Sequence, residues 1–393
     1  MDDRWTERST TEESPPTRGN PFQLRRESGR WSPGPGLLAC ALSVLAACQA
    51  YEPRPLDRDS DRSAWHDRTL EAGTIRELLE RLCALPAEPA GEFDPTSGLT
   101  LQEGVLVALV FNPQLRLARL RAAQVAAGAE HAGLWADPQL SVGAMRILES
   151  VPDPWVLLPS LTFTLPLSGG PAAEADLADA QARVALEAAR EAEWEVQRDV
   201  AQAWVAWSAA RLAVDQTEGL VDAMDGLVRS ALGLAERGEL PRTEATLFGV
   251  EQAQRRNQLH AQRGEAAQLE LELRALLGLA PEAPVKLLPT LAVPGGAEQE
   301  DARQGPDRIE ACNPTLSRLR QAYAASEEAL RREIRRQYPD LTFGPIYEYD
   351  AGQSRLGLFG GLPLPLLNAN RRAIAEAEVA REVARTAVEA EYE

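Results

Sequence analysis

Val196-Gln-Arg-Asp-Val-Ala-Gln-Ala-Trp-Val-Ala-Trp-Ser-Ala-Ala210 is the stretch that decides the fold. Its small and apolar positions, Val196, Val200, Ala203, Trp207 and Ala210, continue through Val214, Thr217, Val221, Met224, Val228, Ala231 and Ala235 in alternating steps of four and three. That alternation is the seam of a left-handed coiled coil. A second stripe, Ala213, Leu220, Leu227 and Leu234, recurs every seven residues beside the first, so the helix needs neighbours on more than one side. Toward the N-terminus the pattern runs unbroken to Pro171 through an Ala-rich segment, 172–192, that favours helix and close approach. A helix over 171–237 measures roughly 100 Å at 1.5 Å per residue, too long for a compact globular domain. It stops at Arg237-Gly-Glu-Leu-Pro241, where Gly238 can take a left-handed C-cap and proline bars continuation. A returning helix over 243–277 makes an antiparallel hairpin with its tip at Arg237–Arg242.

Ahead of the long helix the period changes. Thr100-Leu-Gln-Glu103 is a capping box that opens a helix over Leu101–Phe111, and Asn112-Pro113 begins another that is expected to run from Gln114 to Ala136. After Asp137-Pro138, Leu140, Val142 and Ala144 alternate with Gln139, Ser141 and Gly143, which is strand periodicity. A loop over 149–156 leads to a second strand in which Leu161, Phe163 and Leu165 point one way and Ser160, Thr162 and Thr164 the other. One face is apolar and the other weakly polar, as in a strand with lipid outside and water inside, although a soluble sandwich looks similar over so short a span.

The same order returns. Asn313-Pro314-Thr-Leu316 restates Asn112-Pro113-Gln-Leu115, and Tyr338-Pro339-Asp-Leu restates Asp137-Pro138-Gln-Leu. Both proline pairs, 113 with 314 and 138 with 339, are 201 residues apart. Strands are expected again at 341–349 and 354–361, followed by the start of a helix at Arg371. This divides the chain into a leader over 49–98, a first repeat over 99–279 with strands 139–149 and 158–167, a linker over 280–307 and a second repeat over 308–393. An equal second copy would reach roughly residue 480, about 87 residues beyond Glu393, so the second repeat is expected to be incomplete.

Residues 1–35 are polar and aperiodic and read as disordered or as a misassigned start. Segment 36–48 is a short apolar run behind Arg25, Arg26 and Arg30, too short to span a bilayer and ending in Leu45-Ala-Ala-Cys48. Cys48 is therefore the candidate lipidation site of an exported lipoprotein. Of the other cysteines, Cys40 would leave with the signal, and Cys83 and Cys312 read as buried thiols.

A net charge of -18 over 393 residues argues against nucleic acid as a partner, and 5% aromatic content against a base-stacking platform. No metal-ligand spacing, phosphate loop or nucleophile elbow is present, so no enzyme, cofactor or metal is expected. His66, His131 and His260 are far apart in sequence, the last two within expected helices. Glu191, Glu193 and Glu195 read as a solvated helix face, and Trp194, Trp204 and Trp207 as core packing.

The lipobox, the strand pair, the long hairpin with a glycine tip and the recurrence of that order together resemble the TolC family of outer-membrane channels in tripartite efflux pumps and type I secretion systems. The residues that carry the resemblance are Thr100-Leu-Gln-Glu103 with Asn112-Pro113, its echo Asn313-Pro314, the strand exits Leu165-Pro-Leu167 and Leu362-Pro-Leu-Pro-Leu366, and the tip Arg237, Gly238, Glu239 and Leu240. The resemblance covers 99–393. It implies a mostly α chain with membrane β structure: strand hairpins contributed to an outer-membrane β-barrel, a long periplasmic coiled-coil tunnel, and two tandem structural repeats. It also implies a homotrimer sharing a twelve-stranded barrel, contact with outer-membrane lipid, a periplasmic adaptor docked near the tip, and an inner-membrane pump engaged indirectly, in a Gram-negative bacterium. The family's acidic constriction lies on helices of the second copy that this sequence does not reach, so no gate residue is carried over. Two other readings remain at this stage: a periplasmic coiled-coil tethering lipoprotein, which explains the rods but not the strand pairs, and a non-functional truncated channel fragment.

Overall fold

The computed structural model describes residues 51–68, 70, 98–292, 310, 312–350 and 352–393. Cys48, the start 1–35, the signal core, Cys83 and a helix expected at Thr74–Leu85 lie outside the described residues. The chain divides into two units, Met1–Arg58 and Asp59–Glu393. In the first, residues 51–57 are exposed and carry neither helix nor strand. The elements in chain order are α1 (Arg58–His66), α2 (Leu101–Phe111), α3 (Pro113–Ala129), β1 (Gln139–Arg146), β2 (Trp155–Leu165), α4 (Gly170–Glu236), α5 (Arg242–Leu276), α6 (Pro314–Arg335), β3 (Leu341–Asp350), β4 (Gln353–Gly361) and α7 (Arg371–Tyr392).

The 67-residue α4 is the axis of the second unit, and α2, α3, α5 and α6 all pack on it. Every position of its four-three seam from Val196 to Ala235 is buried or half-buried. The returning α5 answers with Ala245, Gln252, Leu259, Ala266 and Leu273, one residue per heptad. Val214 and Val221 meet Leu259 and Ala266 there in a small apolar cluster. Alanine at two of the five α5 positions lets the two backbones approach closely, and the seam supplies the association that propensity alone does not. The second stripe finds no such cover among the described residues, since Leu220 and Leu227 remain about half exposed.

Nearer its N-terminus α4 is held by charge. Arg119 on α3 reaches Glu193 at 2.7 Å with both side chains largely buried, and Arg318 on α6 pairs with Glu191. Glu191 and Glu193 are thus helix-to-helix ties rather than a solvated face; Glu195 alone of the three is exposed. Sequence spacing could not distinguish these cases, because the partners lie 74 and 127 residues away.

The main core forms where α2, α4 and α5 cross, around Leu101, Val107, Leu115, Val200, Trp204, Trp207, Leu273 and Leu277. The chain enters it through the capping box: Glu103 N donates to Thr100 Oγ1 at 3.3 Å, and Thr100 N donates to Glu103 Oε2 at 2.8 Å. It turns at buried Asn112, whose Oδ1 accepts from Gln114 N and Leu115 N while its amide donates to Leu276 O at 2.8 Å. One side chain therefore ends α2, starts α3 and ties both to the last turn of α5. Trp204 is fully buried against Gly104, and its indole donates to Leu288 O at 3.1 Å. Segment 286–292 is accordingly more than a linker: Leu99 and Leu287 form a parallel bridge, and Thr290 N donates to Ser208 Oγ at 3.0 Å.

Three boundaries differ from the sequence reading. The helix expected to reach Ala136 ends at Ala129, because Gly133 turns with φ +73 and lies so close to Pro171 that a Cβ would sit 2.4 Å from its carbonyl oxygen. His131 consequently lies in a turn, not a helix. The first strand stops at Arg146 and the second begins at Trp155, which pairs with Arg146 instead of belonging to a loop. Cys312, expected to be buried, is exposed and free.

The four strands form one antiparallel sheet in the order β1-β2-β3-β4. Each hairpin is sequential, and the two are joined by β2 against β3, with Phe163 stacked on Phe343 at 5.9 Å between centroids. Among the described residues no barrel closes, and β1 and β4 are open edges.

A Cβ at Gly104 would lie 2.4 Å from Trp204 Cζ3. Gly104→Ala is expected to destabilise the folded chain, and Trp204→Ala to cost about 3–5 kcal/mol. Denaturant unfolding of each variant checks this, with Gly104→Ala/Trp204→Leu recovering part of the loss if the clash is its cause.

Candidate functional site

The sheet register sorts side chains onto two unlike faces. Leu140 stands opposite Leu161, Val142 opposite Pro159 and Ala144 opposite Leu157; Leu165 stands opposite Leu341 and Phe163 opposite Phe343; Pro345 stands opposite Leu358 and Tyr347 opposite Leu356. This face is apolar across all four strands, yet nothing covers much of it, and Leu356 and Leu358 are 81% and 86% exposed. A soluble protein rarely leaves so continuous an apolar surface uncovered. Arg146 lies over the Trp155 ring at 5.9 Å at the loop end, while exposed Trp135 and Tyr338 stand near the helix end. The other face carries Ser141, Ser160, Thr162, Thr164 and Thr342 with glycines between. The strands of β2 and β3 come close at Gly344, where a Cβ would collide with Leu161 O.

The junction between sheet and helices is tightly built. Gly169, φ +67, starts α4, and Asn370, φ +54, starts α7, both in the left-handed region and 201 residues apart. For asparagine this conformation is tolerated rather than favoured. Its amide donates to Glu333 O at 2.9 Å and Glu333 Oε2 at 2.8 Å, and Arg332 pairs with the same carboxylate at 2.6 Å. Burial would raise the Glu333 carboxyl, but the hydrogen bonds from Asn370 and Arg332 and the charges of Arg332 and Arg336 hold it below its ordinary value. Arg335 donates to Gly169 O at 3.3 Å, so the end of α6 steadies both helix starts. Beside it, Gly133, Ser168, Glu174, Arg336 and Asp340 line an open cleft of about 400 Å³.

At the far end of α4 the tip residues Arg237, Gly238, Glu239 and Leu240 form a Schellman turn. Gly238 has φ +74, its N–H donates to Ala235 O at 3.1 Å, and Glu239 N donates to Leu234 O at 3.0 Å. Arg237 Nε bonds Glu239 Oε1 at 3.2 Å across the exposed tip. The glycine-then-proline signal was sufficient to place this turn. The junction at Glu333 and Asn370 had no such signal, since its members lie 37 residues apart.

Among the described residues no cluster of three or more His, Cys, Asp or Glu could hold a metal ion. Trp204 and Trp207 belong to the core, whereas Trp194 is half exposed beneath Arg198. No helix among the described residues is long and apolar enough to cross a membrane, which says nothing of the sheet.

The fold joins a long two-helix hairpin end-on to a sheet with one bare apolar face. No protein-family model and no curated protein matches the sequence. Solved structures do match the fold. A membrane protein from Pseudomonas aeruginosa is similar at 18% identity and a TM-score of 0.61, over 74% of this chain and 72% of that one. The outer membrane protein VceC from Vibrio cholerae aligns at 16% identity and a TM-score of 0.60, over 74% and 75%. The Campylobacter jejuni CmeC outer membrane channel aligns at 12% identity and a TM-score of 0.59, over 78% and 71%. The fold is that of the TolC-like outer-membrane channels.

Because the folded-state value of Glu333 is lowered, its stabilisation is full above its unfolded value and is lost as pH falls through the folded one. The protection factors of amides at the start of α7, corrected for the intrinsic pH dependence of exchange, are expected to fall on acidification, and Glu333→Gln to remove much of that change.

Proposed function

We propose that this chain is a protomer of an outer-membrane exit channel of a tripartite efflux or secretion system. The observation that carries the reading is the exposed apolar face of a sheet whose opposite face is polar and whose outer strands are unpaired. In lipid an open edge leaves backbone amides without partners, so such a sheet must close with others. Three copies of the chain, β4 of one against β1 of the next, give a twelve-stranded barrel. The eleven residues of β2, tilted as barrel strands are, span about 25 Å, the height of a lipid-facing band. The aromatic side chains near both ends of the strands suit the two membrane interfaces.

Below the barrel the helices would line a periplasmic tunnel, and the uncovered Leu220 and Leu227 stripe would meet the neighbouring protomer. The halves 99–279 and 308–393 read as two repeats of one unit. Asn112 and Asn313 support this, because each caps a helix through two backbone amides with proline at its first position, as do the left-handed starts Gly169 and Asn370. Cys48 would carry lipid in the periplasmic leaflet. The exposed turn at Arg237, Gly238, Glu239 and Leu240 would receive a periplasmic adaptor, through which an inner-membrane pump supplies energy. The channel itself would be a passive conduit with no catalytic role.

The purified chain is expected to migrate as a trimer that dissociates on heating, and to give discrete conductance steps in planar bilayers. A monomer that stays soluble without detergent and gives no steps would overturn the proposal. Replacing Leu356 and Leu358 with Arg, on the lipid face, is expected to abolish membrane insertion while leaving the helical signal intact, at about 2–4 kcal/mol per charge near the midplane.

A further inference from the structure

The sheet face opposite the leucines carries charge only toward its hairpin end. From the helix end, its residues on β1 to β4 are Gln, Ser, Thr, Gly and apolar side chains until Glu348 and Arg355 are reached. Those two stand directly opposite each other on β3 and β4, with Arg355 Nη1 3.5 Å from Glu348 Oε1 and Nη2 3.2 Å from Gln353 Oε1. Asp350 is the remaining charge of this face and lies beyond them at the hairpin end, opposite Gln353. The pair is wet, its side chains 55% and 37% exposed, so it adds little stability.

We infer that Glu348 and Arg355 set the charge preference of the barrel interior at their level by cancelling each other, so that the wall there does not sort solutes by sign, with Asp350 the further charge at the hairpin rim. The inference rests on the channel reading above, which puts this face on the water-filled side and repeats the pair three times around it. Rings of like charge in a pore select ions of the opposite sign. Here each positive group is matched by a negative one within a distance far shorter than the screening length of about 8 Å in physiological salt, so a passing solute meets a dipole rather than a net charge.

The test is the reversal potential of the reconstituted full chain across a KCl gradient. Glu348→Gln leaves three unmatched guanidinium groups and is expected to shift the permeability ratio toward chloride by about twofold or more. Arg355→Gln is expected to shift it toward potassium by a similar factor, and the double variant to return it to the parent value. Because the pair is exposed, all three variants are expected to fold, which circular dichroism checks. Conductance steps with an unmoved ratio in the single variants, or a double variant that does not return, overturn this inference and leave the channel reading intact. A parent chain that gives no steps sinks the channel reading and this inference with it.

Discussion

A helix of 67 residues has to find partners along its whole length, and that requirement governs the rest of this protein. Propensity can hold a helix together locally, but an apolar stripe this long is stable in water only when covered. The chain meets the demand in sections. Toward the tip, α5 covers one stripe with one buried residue per heptad. At the middle, α2 and the 286–292 segment enclose Trp204. Toward the sheet, where Ala-rich turns offer little apolar area, Arg119, Arg318 and Arg332 reach across from α3 and α6 to glutamates on α4. What remains uncovered among the described residues is the Leu220 stripe and the leucine face of the sheet.

The two halves of the chain solve one local problem with different residues. Each must pass from a strand into a long helix through a left-handed residue. Glycine does this at 169 without steric cost, and Arg335 fixes its carbonyl. At 370 the residue is asparagine, whose side chain compensates by bonding the end of α6. The cost of the unusual backbone is thus offset by a buried carboxylate that the first half does not require. Asn112 and Asn313 show the converse. They cap identically, but the amide of Asn112 reaches the α5 carbonyl at Leu276, whereas that of Asn313 reaches Glu391.

Much of this was legible in the residues. The four-three seam, the capping box, the Asn-Pro pairs and the glycine tip each depend on neighbours within a few positions, and each folds as its spacing dictates. Alternation along β1 and β2 likewise sorted the sheet faces. What spacing could not supply were contacts made across long separations. Glu191 and Glu193 look like a solvated face until α3 and α6 arrive; Trp204, not Trp207, proves the most enclosed aromatic because Gly104 makes room for it. The Glu348 and Arg355 pairing needed the strand register, since neither residue is unusual by itself. Cys312 was misjudged for a simpler reason: it immediately precedes the Asn313 cap, outside the helix that buries Leu316.

The enclosure of Trp204 also has a mechanical side. It grips α4 about 50 Å from Gly238, counting 1.5 Å for each residue between them, and the shaft beyond it is stiffened by α5 along its length. Such an arrangement is a lever with its pivot clamped in the main core. A rotation of only 5° at the clamp would carry the turn at Gly238 sideways by roughly 4 Å, given that arm length. Motions too small to disturb the packing around the indole would therefore be magnified at the distant end.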